Sequence, residues 1–261
     1  MIDVHAHLCY PDFDSVRDAV LGECEKRMEA VVVSSARFGE GVCALELADK
    51  HEKLFPAIGY HPTEGDSPGK VMDLISQNPE KIVGVGEVGL DYHWEKDASK
   101  RKLQMVRFLG FRDLAGELGK PLVIHSWDAE RECFDALKNF GGDVVFHCFS
   151  GSRELALEIA DRNFFISLST QIMFSKNHRK IAKAVPLESM TLETDSPFLS
   201  PYRHTNMPLP DDFPEGLDPK NNYPWNVALS AGKIASVRGI AAEDVVAATS
   251  GNARKVFGIK S

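Results

Sequence analysis

Basic residues are in deficit: 30 Lys and Arg stand against 38 Asp and Glu, a formal net charge of −8. A chain that coats long duplex DNA carries a basic stripe, and none is visible. Action on a nucleic-acid end stays open, because bound cations can supply a positive field. No run approaches the roughly 18 apolar residues that a bilayer span requires. The opening M-I-D-V-H-A-H holds no basic segment followed by an apolar stretch, so the expected location is cytoplasmic, with no membrane partner. No G-x-G-x-x-G follows the first apolar run, which argues against a doubly wound dinucleotide-binding sheet. Cysteine is sparse. Cys9, Cys24, Cys43, Cys133 and Cys148 show no C-x-x-C spacing, and an odd number without a secretion signal predicts reduced thiols packed as small hydrophobes. Cys148, beside His147, reads either as a soft metal ligand or, better, as a barrel residue whose side chain points away from that histidine's.

What is present is a long alternation. The 261 residues, 43% hydrophobic, can bury a sizeable core. Short β-rich runs near 2–7, 30–35, 54–60, 82–88, 121–125, 143–148, 164–169 and 190–195 alternate with segments of helical periodicity. Phe13, Val16, Val20, Cys24 and Met28 are one such series. Eight strand–helix units over about 250 residues fit a closed parallel (β/α)8 barrel, read as one domain spanning 1–261. Residues 200–224 break the rhythm with six prolines. They read as a long loop after the last strand, expected over the catalytic face. A helix marked by Val227, Ala231, Ile234 and Val237 follows, then two short helical segments near 242–249 and 251–257.

The polar residues fall where such a barrel does its chemistry. In a strand buried on both faces, His, Glu and Asp are costly unless paired or bound to metal. Here they collect at the carboxyl ends of strands: His5 and His7 on the first, Glu87 on the fourth, His125 on the fifth, His147 on the sixth and Asp195 on the eighth. H-x-H in a strand puts both imidazoles on one face, within reach of one cation at about 2.1 Å. Asp3 shares that face and is expected to orient an imidazole. Glycines at 84, 86 and 89 keep bulk away from Glu87, so its carboxylate can approach two cations about 3.5–4 Å apart. Either of His125 and His147 alone is more commonly a core histidine bonded to a carbonyl; both together, beside H-x-H and E-T-D, are hard to explain by packing. Asp195 is the candidate general base, and Glu193, deeper on the same face, has a structural role. His61, in G-Y-H-P, reads as a substrate-phosphate contact or as a turn histidine. Trp127 and Tyr92 read as walls of the mouth or as stacking partners for a terminal base.

These residues occur in motifs that resemble one family. D-V-H-A-H, A-I-G-Y-H-P, V-G-E-V-G-L-D-Y, P-L-V-I-H-S, H-C-F-S-G, E-T-D-S-P-F and N-A-R-K-V-F-G run in order from residue 2 to about 259. The set resembles the TatD-related deoxyribonucleases of the amidohydrolase superfamily. The resemblance implies a barrel, two divalent cations (Zn, Mn or Mg) and 3′-to-5′ exonuclease or related phosphodiesterase activity on DNA ends or small phosphoesters. It assigns His5, His7 and Asp195 to one cation, His125 and His147 to the other, and Glu87 to the bridge. The chain also departs from the pattern. Trp127 stands where an arginine is usual, and Asn222-Tyr223-Pro224 takes the place of Asn-Glu-Pro. Asp218-Pro219 replaces the usual Arg-Gly, and residues near 203–216 form an insertion. Arg203 and Lys220 are the expected substitutes for the lost phosphate contact, with His204 behind them. The rival reading keeps the cations but changes the substrate to small amides, lactones or phosphoesters.

Overall fold

The β-rich runs become strands because Val, Ile, Phe and Ala pack on both faces of a parallel sheet, where the backbone ladder satisfies every polar group they would otherwise strand. The structure is a computed structural model describing residues 1–65 and 67–260. Among these residues, eight parallel strands pair in chain order. They are β1 (Ile2–Ala6), β2 (Ala30–Ser35), β3 (Leu54–Ile58), β4 (Gly84–Gly89), β5 (Leu122–His125), β6 (Val144–Phe146), β7 (Phe165–Leu168) and β8 (Met190–Leu192). The sheet curls until its ends meet. Ala6 bridges Ser196, the His7 N–H donates to Ser196 O at 2.7 Å, and the Asp195 N–H donates to His5 O at 2.9 Å. The result is the expected (β/α)8 barrel, a single domain.

Helices fill the connections: α1 (Arg17–Arg27), α2 (Phe38–Ala48), α3 (Pro68–Gln77), α4 (Ala98–Leu118), α5 (Glu130–Ala136), α6 (Arg153–Asp161) and α7 (Lys176–Ala184). Their ends are chemically marked. Asp97 accepts from the Ser99 and Lys100 N–H groups to start α4, and Gly119, in left-handed backbone, ends it. The main core lies between sheet and helices, with Phe13, Phe108, Phe111 and Phe146 fully buried in it. A smaller cluster joins Ile2, Val4, Ala30, Val32, Val123, Val145 and Phe165 of the strands to Val256, Phe257 and Ile259.

Four expectations are corrected here. The two short segments at the carboxyl end are one continuous helix, α10 (Ala242–Phe257), which follows α9 (Val227–Arg238). A Cβ added at Gly251 would meet nothing within 4 Å, so the helix runs through this glycine without a packing constraint on it. Residues 200–224 contain a short helix, α8 (Pro201–His204), and border no part of the mouth cavity described below. They fold back on the barrel's side: Arg27 Nη1 donates to Asp212 Oδ2 at 2.7 Å, and Phe213 packs against the buried Tyr223 ring. Cys9 and Cys43 are not free thiols but a disulfide, which joins the segment after β1 to α2. Cys24, Cys133 and Cys148 are free. The pairing depends on two elements 34 residues apart meeting with Cα atoms at 6.0 Å, which spacing along the chain does not reveal.

Candidate metal centre

Two strands carry the ligand-type residues at irregularities in their pairing. The β1–β2 register shifts between Asp3 and Ala6, and the β4–β5 register shifts between Val85 and Val88. A bulge re-aims the side chains beside it, here His5 and Glu87. The glycines around Glu87 serve the backbone rather than the carboxylate. At Gly89 (φ 146°) a Cβ would sit 2.0 Å from His125 O, and at Gly86 (φ 159°) it would sit 2.5 Å from Val123 Cβ. β4 and β5 therefore approach too closely for any side chain, and this brings Glu87 and His125 together. Asp195 adopts left-handed backbone (φ 58°), a conformation Asp tolerates better than most residues. It lies just beyond β8, beside the β1 histidines.

The six residues form one cluster. His5 Nε2 and His7 Nε2 are 3.1 Å apart, as period-two alternation requires. Glu87 lies at its centre: Oε1 is 3.4 Å from His7 Nε2, and Oε2 is 3.8, 3.6 and 3.6 Å from His5 Nε2, His125 Nδ1 and His147 Nε2. Asp195 Oδ1 is 3.4 Å from His7 Nε2 and 3.8 Å from both His5 Nε2 and His147 Nε2. His61 joins from the segment after β3, its ring 4.3 Å from that of His125. Donor atoms fall within 4.8 Å of one another in three groups: His5, His7 and Glu87; His5, His147 and Asp195; and His61, Glu87 and His125. His5 and Glu87 each belong to two of these groups, and His125 and His147 both lie 3.6 Å from Glu87 Oε2.

The spacings fit cations better than direct contacts. Distances of 3.4–3.8 Å exceed a good N–H···O bond of about 2.7–3.2 Å. They are near the roughly 3–3.5 Å between neighbouring ligands around an ion bound at about 2.1 Å. Burial and neighbouring charges act unevenly on the members of the cluster. Burial lowers His5 well below the usual imidazole value, helped by the charge on His147. Burial acts the same way on His147, but Glu193 and Asp195 outweigh it and push the value up to about 10. Burial opposes Glu87's charge, yet the surrounding histidines hold its carboxyl well below the usual range. Burial, reinforced by His125, holds His61 down to about 3.

The supporting carboxylates differ from the sequence reading. Asp3 orients no imidazole. It accepts from the His5 and Thr194 N–H groups at 3.1 and 3.0 Å and from the Thr194 hydroxyl at 2.5 Å, clamping the β1–β8 seam. Glu193 has the structural role expected and more: Oε1 lies 2.9 Å from His147 Nδ1 and accepts from the Cys148 N–H at 2.6 Å. Asp91, which sequence reasoning passed over, has Oδ2 3.1 Å from His125 Nε2. The only signal for it was its place in G-L-D-Y, four residues after Glu87. Cys148 is half-buried and borders the cavity, with Sγ 3.2 Å from Ser169 Oγ. It belongs to none of the three groups.

The cluster forms the floor of a mouth cavity of about 840 Å³, bordered by Tyr10, Arg37, His61, Trp94, Trp127 and Phe198 among others. Arg203 and Lys220 do not border it. Both are exposed, carried by the 200–224 segment to the barrel's side, so the expected contact from them is not made at this mouth. Among the described residues, Arg37 is the one lysine or arginine on the lining, fixed by Glu40 Oε1 at 2.8 Å. Tyr92 is also off the lining, under the Arg101 guanidinium at 4.3 Å. No described helix is long and apolar enough to cross a membrane.

Comparison with known proteins decides the family. The model of the TatD related DNase family matches residues 2–258. The chain belongs to the TatD family. An uncharacterised metal-dependent hydrolase of Methanocaldococcus jannaschii is 36% identical to this TatD protein over 94% of this chain and 91% of its own. A human protein named a deoxyribonuclease, TATDN3, is 30% identical over 98% of this chain and 94% of its own. The crystal structure of YjjV, a TatD homologue from Escherichia coli, superposes with a TM-score of 0.84 at 24% identity, covering 100% of this chain and 98% of that one. The TatD chain is therefore a metal-dependent hydrolase, and its His, Glu and Asp cluster is suited to hold metal.

Proposed function

We propose that this hydrolase is a two-cation phosphodiesterase that acts as a 3′-to-5′ exodeoxyribonuclease on single-stranded DNA ends. The observation that carries the reading is the convergence of four imidazoles on one carboxylate, Glu87, at 3.4–3.8 Å. His5, His7, Glu87, His125, His147 and Asp195 would hold the cations, with Glu87 placed to serve both. Bound divalent cations would supply Lewis acidity, lowering the pKa of water and offsetting the charge on phosphoryl oxygens.

The chain's own residues supply the rest. Asp195 turns Oδ1 towards three histidines and takes the water proton on its other oxygen. The water oxygen bonds to phosphorus as the bond from phosphorus to the neighbouring 3′ oxygen breaks; that oxygen keeps the electron pair and takes up a proton from solvent. Arg37, rather than Arg203 or Lys220, faces a substrate phosphate; His61 lines the same wall. Glu193 and Asp91 fix the rings of His147 and His125, as carboxylates behind metal-ligating histidines do.

A second reading, hydrolysis of small amides, lactones or phosphoesters, draws support from a lining with a single arginine and no lysine among the described residues. The test is an assay in Mg, Mn or Zn on 5′-labelled single-stranded DNA with a free or a blocked 3′ end, beside a panel of lactones and amides. Stepwise shortening from the free 3′ end alone is expected. Turnover of the panel with intact DNA would replace the nuclease reading by the second one.

A further inference from the structure

Two large aromatic side chains stand at the mouth with little to cover them. Trp94 is 69% exposed and Trp127 41%. Both border the cavity whose floor is the metal cluster. An exposed indole offers a large apolar face with a polar tip, a surface suited to contact with a ligand.

The pair belongs to a small aromatic cluster. His93 stacks on Trp127 with ring centroids 4.0 Å apart and planes 7° from parallel. Trp94 stands edge-on to both, at 5.0 and 6.1 Å. His93 Nδ1 is 3.0 Å from Asp128 Oδ2, and the Tyr92 N–H donates to Trp127 O at 2.9 Å. Trp127 is on the cavity lining and His93 is not. The assembly is also tied to the chemistry below it. The Trp94 N–H donates to Asp91 Oδ1 at 2.7 Å, and the other Asp91 oxygen meets His125 at 3.1 Å. Trp127 follows His125 by two residues.

We infer that Trp94 and Trp127 form a stacking platform for the unpaired nucleobase next to the scissile phosphate. This rests on the phosphodiesterase reading above. The geometry favours a base over other parts of a nucleic acid. A flat, uncharged face matches an indole, the Asp128 carboxylate beside the platform repels phosphate, and the residues that would hold the cations line the same cavity. A base engaged this way is out of a duplex stack, so the platform selects single-stranded ends and tolerates any sequence.

The test compares oligodeoxyadenylates that carry either a normal or an abasic nucleotide at the terminal or the penultimate 3′ position, using the metal-supplemented protein. Loss of the base at one of the two positions lowers kcat/KM by about five- to 150-fold in the wild type, the usual scale for one base–aromatic stack. In Trp94→Ala and Trp127→Ala that ratio falls towards one, whereas Trp127→Phe retains most of it. A second readout is independent of turnover. With a hydrolysis-resistant methylphosphonate at the terminal linkage, the normal oligonucleotide quenches tryptophan fluorescence and the abasic one does not. Trp225, the remaining tryptophan, is buried, so the quenching reports on the platform. A wild type that cleaves normal and abasic ends equally overturns the platform and leaves the nuclease reading standing. A wild type that cleaves neither overturns both.

Discussion

Among single residues, Asp195 has the most specific job to test. Asp195→Asn keeps the shape and one coordinating oxygen but cannot accept a proton. Its kcat is expected to fall by about 10²–10⁴-fold with metal content retained; near wild-type turnover with metal bound would move the base elsewhere. The six ligand-type residues were legible because an ionisable group closing a Val- and Ile-rich strand has few inexpensive explanations. Their supports were less so. Whether Asp3 serves an imidazole or a backbone depends on competing donors nearby, and Thr194, distant in sequence, supplies them. Arg37 reaches the cavity from the segment after β2, where nothing in the sequence distinguishes it from the chain's other arginines.

At the level of elements, the decisive contact is between β4 and β5. Gly89→Ala would place a methyl group 2.0 Å from His125 O on a backbone that L side chains rarely adopt. It should destabilise the fold by about 1–3 kcal/mol or more, measured by chemical denaturation, and lower metal occupancy as His125 shifts. Equal stability and metal content would show that the strands part freely there. The strand runs were readable to within a few residues because apolar β-branched stretches bounded by polar turns have few other uses. The position of the 200–224 segment was not. Its prolines predicted irregular backbone correctly, but its course is set by Arg27 gripping Asp212 and by Tyr223 burying its ring. Asn222 ties the same segment to the site from behind, donating at 2.8 Å to Thr194 O and Thr170 Oγ1, so the segment braces Asp195 rather than roofing the cavity.

For the whole molecule, the cations and the fold should stabilise one another. The cluster gathers four imidazoles and two carboxylates, and an ion bound only to the folded chain adds about 2.7–4.1 kcal/mol at 100–1,000 times its Kd. For a chain of this size, chelation should therefore lower Tm by about 5–15 °C, with recovery when metal is returned; an unchanged Tm would mean that the cluster holds no ion tightly. The barrel was visible in the order of strands and motifs, whereas the Cys9–Cys43 bond was not, since an odd number of cysteines does not identify which two meet. The central claim, that Glu87 joins two cation sites, is tested most directly by elemental analysis of the purified wild type beside Glu87→Ala. The wild type is expected to hold up to two divalent ions per chain and the variant at most one. Two ions in both would contradict the account.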